Sequence, residues 1–315
     1  MQHGQAINKV TGIKLVAACR TNHKALNDFV TKFEVQGYTD YHKLLENNNI
    51  DSVLIATPHH LHKQMAIDTA SAGKHILVEK PFASTLEECD EIIHAVQSAG
   101  VKLMVGHTRQ FGEDSKAAKE ILKSGDIGNM VFGTNTMTKF WKTPDRKDWH
   151  LKRVSGGGVL LTVGIHDIDF LTYMADSKVA CVKAHLSNQL QGDEVDDSGM
   201  IFLEFENGVI ATIVNAGYQS GVEHFSSELI CTKGIMRIDP SQGLSIGKNE
   251  KWEQLITASK NWMLQALVNE WQEFREAVIN NRPPQVTGEY ARHIMEVVLA
   301  TFDSSNTGRE VLINE

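Results

Sequence analysis

The chain has 315 residues and a formal net charge of -8, with 31 Lys and Arg against 39 Asp and Glu. That length is too great for one small core and suits two domains, and 42% hydrophobic with 22% charged residues is the make-up of an ordinary globular protein. The acidic balance argues against a nucleic-acid partner, because no basic excess exists to neutralise phosphates. No apolar run reaches the roughly 18 residues of a membrane span. The start, Met-Gln-His-Gly-Gln, lacks the basic and apolar regions of a signal peptide. Cys19, Cys89, Cys181 and Cys231 are scattered with no CxxC spacing, which fits free thiols in a reducing cytoplasm.

In chain order, 14–19 reads as a strand and 24–33 as a helix. Residues 52–56 form a strand closed by Thr57-Pro58. A helix over 62–72 stops at Gly73, and 75–78 is a continuous apolar strand of the kind covered on both faces. Ser84-Thr85 with Glu87 and Glu88 predicts a capped helix to residue 99, and 102–106 is another strand. Strand–helix alternation predicts a parallel α/β domain over 1–106. The pattern then changes. A helix over 115–124 precedes a polar, aromatic loop at 141–155, and Gly156-Gly157-Gly158 opens a helix through residue 173. Short alternating segments from 179 to 246, with a Glu206-Asn-Gly hairpin turn, predict a large, mostly antiparallel sheet. Helices over 262–280 and 287–304 complete an α+β domain over 107–315.

Ala72-Gly-Lys-His-Ile-Leu-Val-Glu-Lys-Pro81 ends its strand on Glu79 and Lys80. Ligands of open α/β sheets bind at the carboxyl ends of strands, and Pro81 holds the preceding residue extended. On this stretch alone, Glu79-Lys80 is either an ordinary surface pair or a functional strand tip. Five segments together resolve the choice. Ala56-Thr-Pro-His-His-Leu-His62, Ala72–Pro81, Gly106-His-Thr-Arg-Gln-Phe111, the run from Gly156 to Asp169, and Ser305-Asn-Thr-Gly-Arg309 resemble, in order and spacing, the motifs of the glucose–fructose oxidoreductase / inositol dehydrogenase / rhizopine catabolism superfamily of NAD(P)-dependent oxidoreductases. The resemblance covers nearly the whole chain. It implies a Rossmann-like sheet followed by a substrate and oligomerisation domain.

The family opens with an apolar strand and a GxGxxGxxH turn. Here His3 stands nine residues before Gly12, where the family's histidine and glycine stand. The first strand and its glycine turn are therefore expected to be missing, and with them the main pyrophosphate contact. Gly4 falls inside the helix and is no substitute. Two explanations are open, a start assigned or clipped downstream of the true one, or a variant that has lost its cofactor. On either, this chain is expected to bind NADPH poorly.

The resemblance assigns Arg20, Thr21, Thr57, Pro58, His62, Glu79 and Lys80 to the cofactor side. Arg20 stands where NAD-preferring members carry an acidic residue, and an arginine suits a 2′-phosphate, so the implied cofactor is NADP, with NAD also compatible. Lys80 is implied as the residue that hydrogen-bonds the reacting oxygen and His166 as the acid/base group, since an imidazole titrates near neutrality. Thr162 replaces the family's commonest aspartate and argues for a subgroup with a different substrate. Arg109, Trp149, Arg153, Thr162 and Asp169 are the substrate candidates, with Trp141 and His150 near them; paired arginines suit a carboxylated ring. His59 and His62 lack a third ligand, so no metal is expected. The implied function is hydride transfer between a nicotinamide and a secondary alcohol of a sugar, sugar acid, cyclitol or dihydrodiol, in a homodimer or homotetramer formed through the second-domain sheet. The alternatives are a truncated paralogue acting as a binding or assembly protein, and a redox-neutral glycosidase-like member that holds NAD tightly.

Overall fold

The computed structural model describes residues 1–313 except 142–145, 153–156 and 193; the side chains of Asp148 and Trp149 also lie outside the description. The chain divides into two compact units. The first comprises Met1–Thr108 and Met263–Arg292, the second Arg109–Trp262 and His293–Glu315. The expected boundary after residue 106 is close, but a single cut misses the return of most of the carboxyl-terminal helix pair segment 263–292 to the first unit.

The first unit runs α1 (Gln2–Ile7), β1 (Ala17–Cys19), α2 (His23–Phe33), β2 (Gln36–Tyr38), α3 (Tyr41–Leu45), β3 (Ser52–Ile55), α4 (His62–Ser71), β4 (His75–Glu79), α5 (Leu86–Ala99) and β5 (Leu103–Gly106). Local chemistry sets the helix ends. Asn22 accepts from the Ala25 amide, Asp40 from His42 and Thr85 from Glu88, each satisfying an orphan donor. The strands are parallel and form two sheets, β1-β2 and β3-β4-β5. β1 and β3 each have one strand neighbour and do not pair with each other. Their residues are correspondingly half-exposed apart from Ile55, whereas Ile76, Leu77 and Val78 of β4 and all of β5 are buried. Gly4 lies within α1, packed on the ring of Phe33, and forms no phosphate turn.

The second unit contains α6 (Glu113–Ser124), β6 (Met130–Phe140), a 3-10 turn Asp148–Leu151, a π-helical turn Leu160–Gly164 running into α7 (Ile165–Ala175), and β7 (Val179–Ser187) to β13 (Lys251–Thr257). β8 is Ser198–Phe205, β9 Ile210–Tyr218, β10 His224–Cys231, β11 Gly234–Asp239 and β12 Gly243–Lys248. The helix α8 (Trp262–Ile279) lies in the first unit from Met263 on, and α9 (Gly288–Thr307) and β14 (Val311–Leu312) follow. Nine strands form one sheet in the order β13-β12-β11-β10-β6-β9-β8-β7-β14. It is antiparallel except that β6 and β9 run parallel at its centre. β6 is a strand the sequence reading missed. Its Thr134, Thr136 and Thr138 alternate with inward Asn135 and Met137, and a polar residue at an inward position hides the apolar period.

Candidate active site

The candidate residues fall into two groups, one in each unit. In the first unit the carboxyl ends of β1, β3 and β4 carry Arg20, Thr57-Pro58 and Glu79-Lys80. Arg20 is exposed, and its amide donates to the Tyr38 carbonyl, which leaves the guanidinium at the end of β1 just before α2. His62, at the start of α4, is buried between two loops. Its ring nitrogens contact the carbonyl oxygens of Pro81 and Thr57, each at 2.9 Å. Burial pushes the His62 imidazole below its ordinary value, against the pull of those carbonyls. His62 therefore ties the tip of β3 to the segment after β4. The Lys80–Pro81 peptide is cis. Glu79 accepts a hydrogen bond from Nε2 of His3 at 2.7 Å. Burial would raise the Glu79 carboxyl, but the His3 hydrogen bond and the Lys80 charge hold it below the ordinary carboxylate value.

This donor set fits the two ends of a dinucleotide, while no glycine turn for the pyrophosphate stands among the described residues, Gly4 lying inside α1. An exposed arginine before a helix N-terminus suits a ribose phosphate, half-buried Thr57 and Pro58 offer a partly apolar wall, and Lys80 supplies a cation at a strand tip.

In the second unit, Gly158 leads into the π-helical turn with φ +107°, and a Cβ there would come within 2.3 Å of Oδ1 of Asp196. Only glycine fits that approach. Oδ2 of Asp196 in turn accepts from the Leu160 amide at 2.7 Å. From Val159 to Leu171 the chain is buried except at Thr162 and His166, which are half-exposed. Two open polar positions on an otherwise buried helix are the pattern of a site, and π-helical turns recur at functional sites.

Buried beneath them is a polar network. The Arg109 guanidinium donates to Asp167 Oδ1 at 2.7 Å, to Asn135 Oδ1 at 3.0 Å and to Ser227 Oγ at 2.6 Å. It also stacks on the Phe170 ring, with its central carbon 3.8 Å from the ring centroid. Asn215 donates to the other Asp167 oxygen at 2.5 Å, and Ser227 donates to Asn135. Burial pushes the Asp167 carboxyl up to about 6 against the pull of Arg109, and burial likewise lowers Arg109. Gln110 donates to Asp169 at 2.6 Å.

These contacts change three expectations. Arg109, expected at the substrate, uses its donors inside the unit. Asp169 is fully buried and bonded to Gln110 rather than presented to solvent. Trp141 is core, packed with Met137, Val159 and Val163, and Arg146 stacks on it at 4.0 Å. Arg153 and the Trp149 side chain lie outside the described residues. Asp167, Asn135, Asn215 and Ser227 were missed. Their only sequence signal is a polar residue at an inward strand or helix position, visible once the register is known. Among the described residues no group of three or more His, Cys, Asp and Glu could hold a metal ion, and no helix is long and apolar enough to cross a membrane.

A parallel α/β unit followed by a unit built on a large, mostly antiparallel sheet is the architecture of a two-domain oxidoreductase. Comparison with known proteins agrees. Residues 1–107 match the oxidoreductase family NAD-binding Rossmann fold, and residues 115–237 match the GFO/IDH/MocA C-terminal domain. Among curated relatives, the 1-carboxy-3-chloro-3,4-dihydroxycyclohexa-1,5-diene dehydrogenase of Comamonas testosteroni is 33% identical over 218 residues, which is 69% of this chain and 54% of that protein. The scyllo-inositol 2-dehydrogenase (NAD(+)) of Bacillus subtilis is 28% identical over 98% of this chain and 91% of its own. The solved myo-inositol 2-dehydrogenase of Lactobacillus plantarum superposes with a TM-score of 0.86 at 25% identity, covering 99% of this chain and 96% of its own. The chain belongs to the GFO/IDH/MocA family of NAD(P)-dependent dehydrogenases and reductases.

Proposed function

We propose that this protein transfers hydride between a nicotinamide and a secondary alcohol of a sugar, sugar acid, cyclitol or dihydrodiol. The observation that carries the reading is Lys80 at the carboxyl tip of β4, next to a Glu79 carboxylate that His3 holds ionised. The relatives named for a dihydrodiol-type diene and for inositols support cyclic polyols as the substrate class.

A bound nicotinamide accepts or gives the hydride. Arg20 and Thr21 would hold its ribose phosphate end, and Thr57, Pro58, His62 and Glu79 would shape the opposite end. The exposed Arg20 favours NADP. The Lys80 ammonium donates to the reacting oxygen and stabilises the negative charge that grows there. His166 takes the hydroxyl proton on oxidation and returns it on reduction. Thr162, half-exposed one turn earlier, can donate to substrate or imidazole, but adds no charge to the imidazole. Arg109 and Asp169 hold α7 in place, the first through Asp167 and the second through Gln110.

The open face of the large sheet supports self-association in a dimer or tetramer. Met200 and Phe202 are 65% and 37% exposed and stand on the same face as Ile230 at 38%. Apolar residues grouped on an open sheet face mark an interaction surface. The test of function is a panel of polyols, sugar acids and dihydrodiols assayed for NADP and NAD reduction, with His166→Asn alongside. With cofactor raised to offset the weak binding expected of this chain, turnover in the parent and loss of about a hundredfold or more in His166→Asn is the expected result. Equal turnover in both would remove His166 from the chemistry.

A further inference from the structure

We infer that His3 is a positioning residue that fixes the Glu79 carboxylate beside Lys80, an inference that deepens the proposed dehydrogenase function and rests on it. The indole N–H of Trp271 donates to Nδ1 of His3 at 3.1 Å. An indole nitrogen is only a donor. The lone pair therefore sits on Nδ1, and the imidazole carries its proton on Nε2. That Nε2–H donates to Oε1 of Glu79 at 2.7 Å. An ionised carboxylate only accepts. The chain of donors consequently runs one way, from indole through imidazole to carboxylate.

Packing locks the first member of this chain. Trp271 is 3% exposed and meets the ring of Phe274 edge-on, with centroids 5.8 Å apart. His3 meets Trp271 edge-on, with ring centroids 6.2 Å apart and an interplanar angle of 83°. The last member lies against a glycine of the neighbouring strand. Gly106 pairs with Glu79 across β4 and β5, and a Cβ there would lie 3.4 Å from the Glu79 carboxyl.

The consequence falls on Lys80, whose charge interacts with Glu79. A half-buried carboxylate deprived of the His3 donor must recover hydrogen bonding from another group. The neighbouring ammonium would then be drawn toward Glu79 and away from a reacting oxygen. Supplying Glu79 from the His3 side weakens that pull. A tautomer with its proton on Nδ1 would instead turn a lone pair toward the carboxylate and repel it.

The test uses the full chain with 15N-labelled histidine and 13C-labelled glutamate, and three variants. His3→Gln keeps an acceptor for Trp271 and a donor for Glu79; His3→Ala removes both; Trp271→Phe keeps the ring and removes the N–H. In the parent chain the His3 imidazole nitrogens should report the Nε2–H tautomer. In Trp271→Phe the Glu79 carboxylate still holds the proton on Nε2, so the tautomer should persist while the Nδ1 resonance moves to that of a nitrogen without its indole donor. The Glu79 carboxyl resonance should move in His3→Ala and return in His3→Gln. Turnover should fall about tenfold in His3→Ala with KM little changed, and stay within about threefold in His3→Gln. An Nδ1–H tautomer in the parent chain, or an unchanged Glu79 resonance in His3→Ala, would overturn the inference. The spectra need no turnover. Spectra as expected in a chain without dehydrogenase activity would uphold the His3–Glu79 arrangement while the function fails. Turnover in His3→Ala equal to the parent would defeat the positioning role while the function stands.

Discussion

Arg109 and Asp167 form an ion pair of 2.7 Å in which the carboxylate is fully buried and the guanidinium nearly so. Removing one member of such a pair leaves the other as an uncompensated buried charge, a loss of about 3–5 kcal/mol. Asp167→Ala should therefore lower the thermal midpoint of the second unit by roughly 6–20 °C. Asp167→Asn, which keeps a hydrogen-bond acceptor, should lower it less. Differential scanning calorimetry checks both, and a midpoint unchanged in Asp167→Ala would contradict the role given to the pair.

The same network sets a pH dependence together with the buried imidazoles. Burial lowers His62, His75 and His293 below 6.5, so the unfolded chain binds their protons first. Their contribution to stability is complete above pH 6.5 and is lost progressively as pH falls below it. Asp167 acts in the opposite sense. Burial raises it from 3.8 to about 6, so the folded state takes up its proton first and gains stability as pH falls from 6 toward 3.8. Chemical denaturation between pH 4 and pH 8 should show stability rising toward neutrality. His62→Gln should flatten that rise, and Asp167→Asn should steepen it below about pH 6. Identical slopes in the parent and His62→Gln would rule out the burial argument for His62.

Arg20 is exposed at the end of β1. A charge-assisted contact to a ribose phosphate predicts that Arg20→Ala loses about tenfold or more in kcat/KM for NADP, with little change for NAD. Steady-state kinetics with both cofactors decides it. An unaltered NADP-to-NAD ratio would place the 2′-phosphate elsewhere.

Phe202→Glu and Met200→Lys put charges on the open sheet face. Each should shift the protein to a smaller species in light scattering, because charge at an apolar contact is disfavoured. A parent chain that is already monomeric would defeat the proposed association.

Much of the parallel unit was legible because its signals are local. A glycine stop, the Thr85 cap and the continuous apolar run Ile76-Leu77-Val78 need no distant partner to be read. Lys80 and His166 are proposed from motifs at fixed spacing. The network around Asp167 was not, because Asn135, Asn215 and Ser227 come from three strands and meet only through sheet register. The buried partners of Arg109 were hidden for a related reason. A basic residue after a strand reads as a ligand contact until its buried carboxylate partner is known. The return of 263–292 to the first unit escaped as well, since apolar periodicity shows that a helix is covered and not by which domain.

The central claim is that Lys80 assists hydride transfer, and the most direct measurement is turnover of Lys80→Met on the substrate found to be oxidised, followed by nicotinamide absorbance at saturating cofactor. Loss of a hydrogen-bond donor aimed at developing charge predicts a fall in kcat of about a hundred- to a thousandfold with an unchanged thermal midpoint. A variant that is folded and turns over at the parent rate would contradict the account.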